Sequence, residues 1–184
     1  MAIRMKVRKA EGEYDLGASK FLGSPTLPKM MTSGYTNETI FFLQIRLEDI
    51  AEFDEENLLP HVGYLYVFLD TAGSEYGLEP VVRYTKNEPT HCLGQFNEEV
   101  EGYEQYIDDY LIEFEKCDDY ADGTRLLGKV NSPDYENDTR TLLLQFDPLD
   151  SEMGIFSQMD GYIYLFFGEG KNPLKGVTLE ADFS

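Results

Sequence analysis

The sequence GYLYVF occupies residues 63–68, and a near copy, GYIYLF, occupies residues 161–166. Both runs are apolar at almost every position, which is typical of a central strand that is covered on both faces. Each run follows a shorter apolar segment that carries a single amide, FLQI at residues 42–45 and LLQF at residues 143–146. The sequence therefore predicts a sheet that contains two such pairs of buried strands.

Two further matches extend this similarity and keep the same order along the chain. The segment SKFLG at residues 19–23 corresponds to TRLLG at residues 124–128, and VVRY at residues 81–84 takes the place that VTLE takes at residues 177–180. The order is kept while the loops of the second copy are shorter, as expected for diverged duplicates. We therefore predict an internal duplication.

The length of 184 residues suits one domain that spans residues 1–184. Within it we expect repeat halves at about residues 17–90 and 120–184, related by approximate twofold pseudo-symmetry. Apolar and basic residues alternate over residues 1–10, which predicts a half-buried first strand. The thirteen tyrosines and twelve phenylalanines also favour strands. The predicted fold class is α+β, mostly antiparallel β, with few helices.

An acidic helix is predicted between the two halves, at about residues 98–117. Apolar side chains recur there at steps of three and four, which is the spacing of one helix face. They are Val100, Tyr103, Ile107, Leu111 and Phe114. The remaining positions are rich in glutamate and aspartate, and they form either an acidic docking surface or the ordinary solvated face of a core-packed helix. A shorter helix is expected near residues 48–56.

The net charge of −20 limits the classes of partner. A field of this sign repels phosphate backbones and anionic membrane surfaces, so we expect no nucleic-acid partner and no membrane partner. It attracts a basic protein. The alternative interpretation is that the acidic surface only keeps the chain in solution.

Cysteine use and the first residues predict a cytoplasmic protein. The only cysteines are Cys92 and Cys117, which we interpret as reduced thiols. The alternating first ten residues contain no apolar signal-peptide core, and no apolar run reaches the length of about 18 residues that a membrane helix needs.

No motif with catalytic or cofactor-binding chemistry emerges from the sequence. The histidines, His61 and His91, with two cysteines do not supply the ligand pattern of a zinc site. The acidic run from Asp118 fails the calcium-loop pattern, because a tyrosine and a lysine occupy ligand positions. Phosphate-binding glycine motifs are also absent. We therefore predict no cofactor, no metal and no catalytic residues, and favour a protein that is not an enzyme.

Gln44 and Gln145 are the candidate site residues that the repeat singles out, because each is a lone amide within an apolar strand. A buried amide must find hydrogen-bond partners. Either each glutamine ties its strand to neighbouring backbone, or both face a cleft between the halves that holds a small anionic ligand. The second interpretation adds the aromatic and basic positions that also match by repeat, Tyr64, Tyr162, Lys20 and Arg125.

The same motifs resemble those of the YwqG-like family of uncharacterised bacterial proteins. The resemblance rests on residues 19–28, 42–50, 58–68, 126–128 and 142–167. It implies a bacterial intracellular protein with an α+β, mostly antiparallel, internally duplicated fold, and it implies no reaction, cofactor or catalytic residue. This chain departs from the family pattern because it has no tryptophan and because Lys129 to Ser132 separate Gly128 from the next proline.

Three functions follow from these observations. The first is a non-enzymatic cytoplasmic binding protein whose acidic surface meets a basic protein partner. The second is a small-molecule binder or enzyme with a cleft between the two repeat halves. The third is an immunity-type inhibitor of a basic toxin, which rests on charge and size alone.

Overall fold

The computed structural model describes residues 1–72, 78–149 and 161–182, and the regular structure there is almost entirely β-strand. The strands in chain order are β1 (Ala2–Lys9), β2 (Lys20–Phe21), β3 (Thr26–Leu27), β4 (Thr39–Arg46), β5 (Tyr64–Asp70), β6 (Glu79–Thr85), β7 (His91–Cys92), β8 (Tyr110–Cys117), β9 (Arg125–Leu126), β10 (Leu142–Phe146), β11 (Tyr162–Phe166) and β12 (Thr178–Asp182). Short 3-10 turns lie at Lys29–Met31, Leu47–Asp49, Asn97–Glu99, Pro133–Tyr135 and Pro173–Lys175.

Ten strands form one antiparallel sheet in the order β12-β11-β10-β9-β1-β8-β2-β4-β5-β6. The central pair, β1 and β8, is in register over eight residues, from Ala2↔Cys117 to Lys9↔Tyr110. The outermost strands, β6 and β12, contact one another, so the sheet curls into a nearly closed, barrel-like form. Strands β3 and β7 pair separately, with Thr26 opposite Cys92.

Strand β5 shows how the two faces of the sheet are used. Leu65 and Val67 point into the main core inside the curled sheet, whereas Tyr66 and Phe68 belong to a cluster on the outer face. All four side chains are buried. Burial on both faces explains why this strand is an unbroken apolar run, as predicted.

Two segments cover the outer face of the sheet. Leu27 and Tyr35 pack on the outer side chains of β4 and β5. The loop of residues 127–141, which we call the 127–141 loop, packs Val130 and Tyr135 on the outer side chains of β10 and β11. The polar side chains predicted to form a site lie beneath or beside these two covers.

The acidic helix predicted at about residues 98–117 is wrong. Residues 110–117 form β8, and the preceding residues form turns and the 3-10 turn at Asn97–Glu99. Alternate side chains, Tyr110, Ile112 and Phe114, contact the core. On the other face, Glu115 lies 2.6 Å from Lys6 of β1.

The partner strand explains this error. β1 lies about a hundred residues away in the sequence, and it offers β8 both a complete backbone ladder and cross-strand ion pairs. Local spacing contains no information on such a partner, and strand formation depends strongly on this context. The helix expected near residues 48–56 is likewise reduced to the 3-10 turn at Leu47–Asp49 and further turns.

The predicted α+β class with internal duplication and approximate twofold pseudo-symmetry is also wrong. Residues 1–72, 78–149 and 161–182 contain no α-helix, and strands from both predicted halves belong to one continuous sheet. β1 and β8, which lie outside the predicted halves, occupy the centre of that sheet. The similar segments therefore form parts of one curled sheet with β1 and β8 at its centre.

A helix of the length and apolar character needed to cross a bilayer is not found in the described part of the chain.

Candidate functional site

Gln44 is completely buried, and its side chain bonds to backbone and side-chain groups of the segment that precedes β4. Its Oε1 accepts hydrogen bonds from the Thr26 backbone N–H at 3.1 Å and from the Thr26 hydroxyl at 2.8 Å. Its Nε2 donates to the carbonyl oxygens of Leu16 and Ala18 at 3.1 and 3.0 Å. The amide therefore holds the covering segment on the outer face of the sheet.

Lys20 lies opposite Gln44 in the β2–β4 ladder and is also completely buried. Its ammonium group donates to Asp109 Oδ1 at 2.8 Å, to the Tyr14 hydroxyl at 3.1 Å and to the carbonyl oxygen of Ser24. An ammonium has three donors, so these contacts use all of them. Burial and the hydrogen bond with Asp109 raise the pKa of the Tyr14 hydroxyl.

Arg125 and Gln145 form the corresponding arrangement between β9 and β10. The guanidinium of Arg125 donates to the carbonyl oxygens of Ala121, Leu127 and Lys129 and to Gln145 Oε1, the last at 2.9 Å. Gln145 Nε2 in turn donates to the carbonyl oxygen of Gly123 at 2.9 Å. Both side chains are buried, and burial lowers the pKa of Arg125.

The two predicted tyrosines lie on the outer face, one beside each arrangement. Tyr64 is buried and donates its hydroxyl to a carboxylate oxygen of Glu88 at 2.5 Å, and burial raises its pKa to about 12. Tyr162 is half-buried and its oxygen accepts the backbone N–H of Gly123 at 3.4 Å; burial raises its pKa as well.

The structure thus brings the six predicted site residues together as two groups and not as one. Lys20, Gln44 and Tyr64 lie on β2, β4 and β5, and Arg125, Gln145 and Tyr162 lie on β9, β10 and β11. Strands β1 and β8 separate the two groups in the sheet. The amides and cations bind groups of the chain itself and hold its covering segments in place.

A groove of about 760 Å³ lies elsewhere, along the 127–141 loop. One side is formed by that loop, and the lining also includes Tyr120, Asp119 and residues Glu56 and Leu58 of the turn region after β4. The buried side chains of Leu142 and Phe166, from the outer cluster of β10 and β11, complete it. Arg125 supports this groove from within, because its guanidinium bonds to the carbonyl oxygen of Lys129.

Arg140 is the most strongly bound cation of the groove. Its guanidinium carbon lies 4.0 Å from the centre of the Phe166 ring, and it forms ion pairs with Asp138 and Glu180. These hydrogen bonds raise the pKa of Arg140 and lower the pKa of both carboxyl groups. The Tyr135 hydroxyl donates to Glu180 at 3.1 Å, so the position of Arg140 is defined on several sides.

Sequence reasoning missed this groove. Most of its lining residues belong to turns and loops outside the repeated motifs, although Gly128 and Phe166 lie within them. A usable signal was the loop itself, since fifteen residues without a regular strand separate β9 from β10. Loops of that length in a compact domain are uncommon and are often functional.

In residues 1–72, 78–149 and 161–182, no group of three or more His, Cys, Asp or Glu side chains is placed to hold a metal ion. His61 Nε2 lies 3.2 Å from the buried Asp54, which also accepts backbone N–H groups of the same turn, and His91 contacts the Thr90 hydroxyl. His61 therefore contributes to the turn around Asp54, whereas His91 is exposed on β7.

Comparison with known proteins gives no identification. No family model matches the sequence, and no characterised protein matches it.

Proposed function

We propose that this chain is a non-enzymatic binding protein of the cytoplasm whose acidic surface meets a basic protein partner. The observation that carries the proposal is that most lysine and arginine side chains are bound by groups of the chain itself. Eight of the fifteen lysines and arginines form ion pairs with carboxylates within the described chain. Arg125 is a ninth that is held inside, by carbonyl groups.

The cations of β1 illustrate the consequence. Their alternation predicts a basic outer face, but Lys6 and Arg8 form ion pairs with Glu115 and Glu113 of the neighbouring strand β8. The net charge of −20 already includes all fifteen basic side chains, so an excess of twenty acidic side chains is left without a basic counterpart. A surface of one sign steers oppositely charged proteins and accelerates their association.

The acidic residues at 98–104 contribute to this surface in a different form from the predicted helix. Glu98, Glu99, Glu101 and Glu104 are exposed on turns that precede β8. None of the four forms an ion pair with a lysine or arginine in the described ranges. They therefore add uncompensated negative charge beside the sheet.

The experiment is affinity capture on the immobilised chain, followed by purification of each captured protein and measurement of its Kd across a salt series. We expect a captured protein with a high isoelectric point, and an affinity that falls steeply as salt rises, because exposed charges are screened beyond about 10 Å at 0.1 M ionic strength. Absence of any retained protein at low salt, or an affinity that salt does not change, would contradict the proposal.

Two narrower assignments belong to the same proposal. The motif order of residues 19–28, 42–50 and 58–68 supports membership of the YwqG-like family of bacterial proteins. If the structure of a YwqG-like protein showed a different strand order in its sheet, the family assignment would be wrong.

The small size and acidity support an immunity-type role against a basic toxin. Co-expression of the chain with a toxin from a neighbouring gene tests this role, with cell survival as the measurement.

A further inference from the structure

The 127–141 loop groove has features that general surface charge does not explain. It is concave and it is lined by aromatic rings. Its lining also contains four carboxylates, Glu56, Asp119, Glu136 and Asp138, against three cations, Lys129, Arg140 and the N-terminal ammonium of Met1. The inference rests on the proposed function, because it names the place where a basic partner is held.

The charge of the groove is negative once its internal pairs are counted. Arg140 faces two carboxylates, Asp138 and Glu180, so it carries no excess positive charge into the groove. Glu136 is exposed on the 127–141 loop, and the side chain of Glu56 is 67% exposed on the other side. Glu56 shares the N-terminal ammonium of Met1 with Asp119, at 3.4 and 2.8 Å, whereas Glu136 forms no ion pair in residues 1–72, 78–149 or 161–182.

The rings of the groove already accept cations of the chain itself. Arg140 stacks on Phe166, and the ammonium nitrogen of Lys129 lies 5.9 Å from the centre of the Tyr120 ring. The Tyr120 side chain is 49% exposed, so that contact lies at the mouth of the groove and is open to exchange. An ammonium over an aromatic face is attracted by the ring quadrupole.

We infer that this groove binds a lysine side chain of the basic partner, with its ammonium beside the Tyr120 ring in exchange for Lys129 and near the carboxylates of Glu136 and Glu56. Charge complementarity supports a cation, and the resident Lys129 supports an ammonium group as the cation. A volume of about 760 Å³ admits more than one side chain, so an extended lysine-rich segment fits along the loop. We expect the Tyr120 site to take an ammonium because Lys129 occupies it, whereas the arginine site over Phe166 is already filled by Arg140.

The test uses fluorescently labelled octalysine as the probe and the full chain as the receptor. The groove variant carries Glu56→Gln and Glu136→Gln, and the matched control carries Glu11→Gln and Glu13→Gln, at exposed positions outside the groove and outside the acidic turns at residues 98–104. Both remove two exposed negative charges, so long-range attraction falls equally in the two variants. Circular dichroism and thermal unfolding confirm that each variant is folded before binding is measured.

We expect the groove variant to raise the Kd for octalysine by about fivefold or more, and the control variant by less than about twofold. Tyr120→Leu, which leaves the net charge unchanged, should raise the Kd by about two- to fivefold through loss of the cation–π contact. Amide resonances of residues 128–141 should shift on addition of octalysine, while those of the control region at residues 10–14 remain in place.

The outcomes separate this inference from the proposed function. If groove and control variants weaken octalysine equally and Tyr120→Leu has no effect, the groove is not the site, and salt-dependent capture of a basic protein still stands. If the groove resonances shift with octalysine but no basic protein is captured, the protein-binding function fails while the cation groove stands. If octaarginine binds the groove as tightly as octalysine does, the preference for an ammonium is wrong.

Discussion

Arg125 Nη2 lies 2.9 Å from Gln145 Oε1, and this hydrogen bond joins a buried guanidinium to a buried amide across the β9–β10 ladder. The other donors of Arg125 reach three backbone carbonyl oxygens between residues 121 and 129. A cation is thus used as a structural clamp, which holds one end of the 127–141 loop against the sheet. Four consequences of this and related contacts can be measured.

The first prediction concerns Arg125 itself. Arg125→Met keeps an aliphatic side chain but leaves buried carbonyl groups without donors, so unfolding free energy should fall by about 3 kcal/mol or more. Urea denaturation followed by circular dichroism measures the change. The control Arg8→Met, at a side chain that is 57% exposed, should stay within about 0.5 kcal/mol of the parent chain. Equal effects of the two substitutions would show that Arg125 does not act as a clamp.

The second prediction compares two ion pairs of similar length but different burial. Lys20 and Asp109 are 2.8 Å apart with side chains 0% and 20% exposed, whereas Lys6 and Glu115 are 2.6 Å apart with side chains 60% and 44% exposed. Double-mutant cycles, with lysine replaced by methionine and each acid by its amide, should give coupling of about 1–3 kcal/mol for the first pair. The second should give less than about 1 kcal/mol, because solvent screens it. A larger coupling for the exposed pair would contradict this account.

The third prediction is a pH dependence that arises from Arg140. Its hydrogen bonds lower the pKa of Asp138 and Glu180 in the folded state below their ordinary values of 3.8 and 4.5. Between the folded-state pKa values and the ordinary ones, the unfolded state binds more protons than the folded state. The stability that these two ion pairs contribute is therefore complete above the ordinary pKa values, and it is lost as pH falls through the folded-state pKa values. Arg140→Met should therefore destabilise the chain more at about pH 7 than at about pH 3.

The measurement for this prediction is the free energy of urea unfolding of the parent chain and of the Arg140→Met variant over a pH series. The difference should be modest, because the Arg140 side chain is 38% exposed and solvent screens the pairs. A difference between the two chains that stays constant with pH would assign the effect of Arg140 to its packing on Phe166 alone.

The fourth prediction uses two glycines with positive φ. Gly63 (φ 97°) precedes β5, and a Cβ there would lie 2.3 Å from the carbonyl oxygen of Thr85, whereas a Cβ at Gly34 (φ 90°) would meet nothing within 4 Å. Both alanine variants carry the strain of a left-handed residue, about 1 kcal/mol or more. Only Gly63→Ala adds a collision with the backbone at the end of β6. Thermal unfolding should show the larger loss for Gly63→Ala, and equal losses would mean that the chain relaxes around the added methyl.

Much of the sheet could be predicted from local pattern. The alternation in residues 1–10 predicted β1, and the apolar runs at residues 63–68 and 161–166 predicted β5 and β11. Gln44 and Gln145 were recognised as lone amides in apolar strands, and the structure gives each the internal hydrogen bonds that buried amides require. These predictions succeeded because burial on one or both faces leaves a direct mark on the sequence.

The groove along the 127–141 loop could not be predicted from local sequence pattern. A groove is formed by side chains that come together from distant segments, and Glu56, Tyr120 and Glu136 share no motif or spacing. The helix predicted at residues 98–117 failed for a related reason, since a spacing of three and four is compatible with turns followed by a strand. Local spacing contains no information on the partner that decides between these structures.

The sequence by itself determined the acidity of the surface, the positions of the buried strands and the identity of the polar residues within them, because each depends on composition or on local hydrophobic pattern. Tertiary structure alone decided that β1 and β8 meet at the centre, where their opposite charges pair across the ladder. It also decided that Lys20 and Arg125 are enclosed by carbonyl and carboxylate groups and do not face a common cleft. The physical reason is that strand pairing and the solvation of buried charge depend on neighbours far away in the chain.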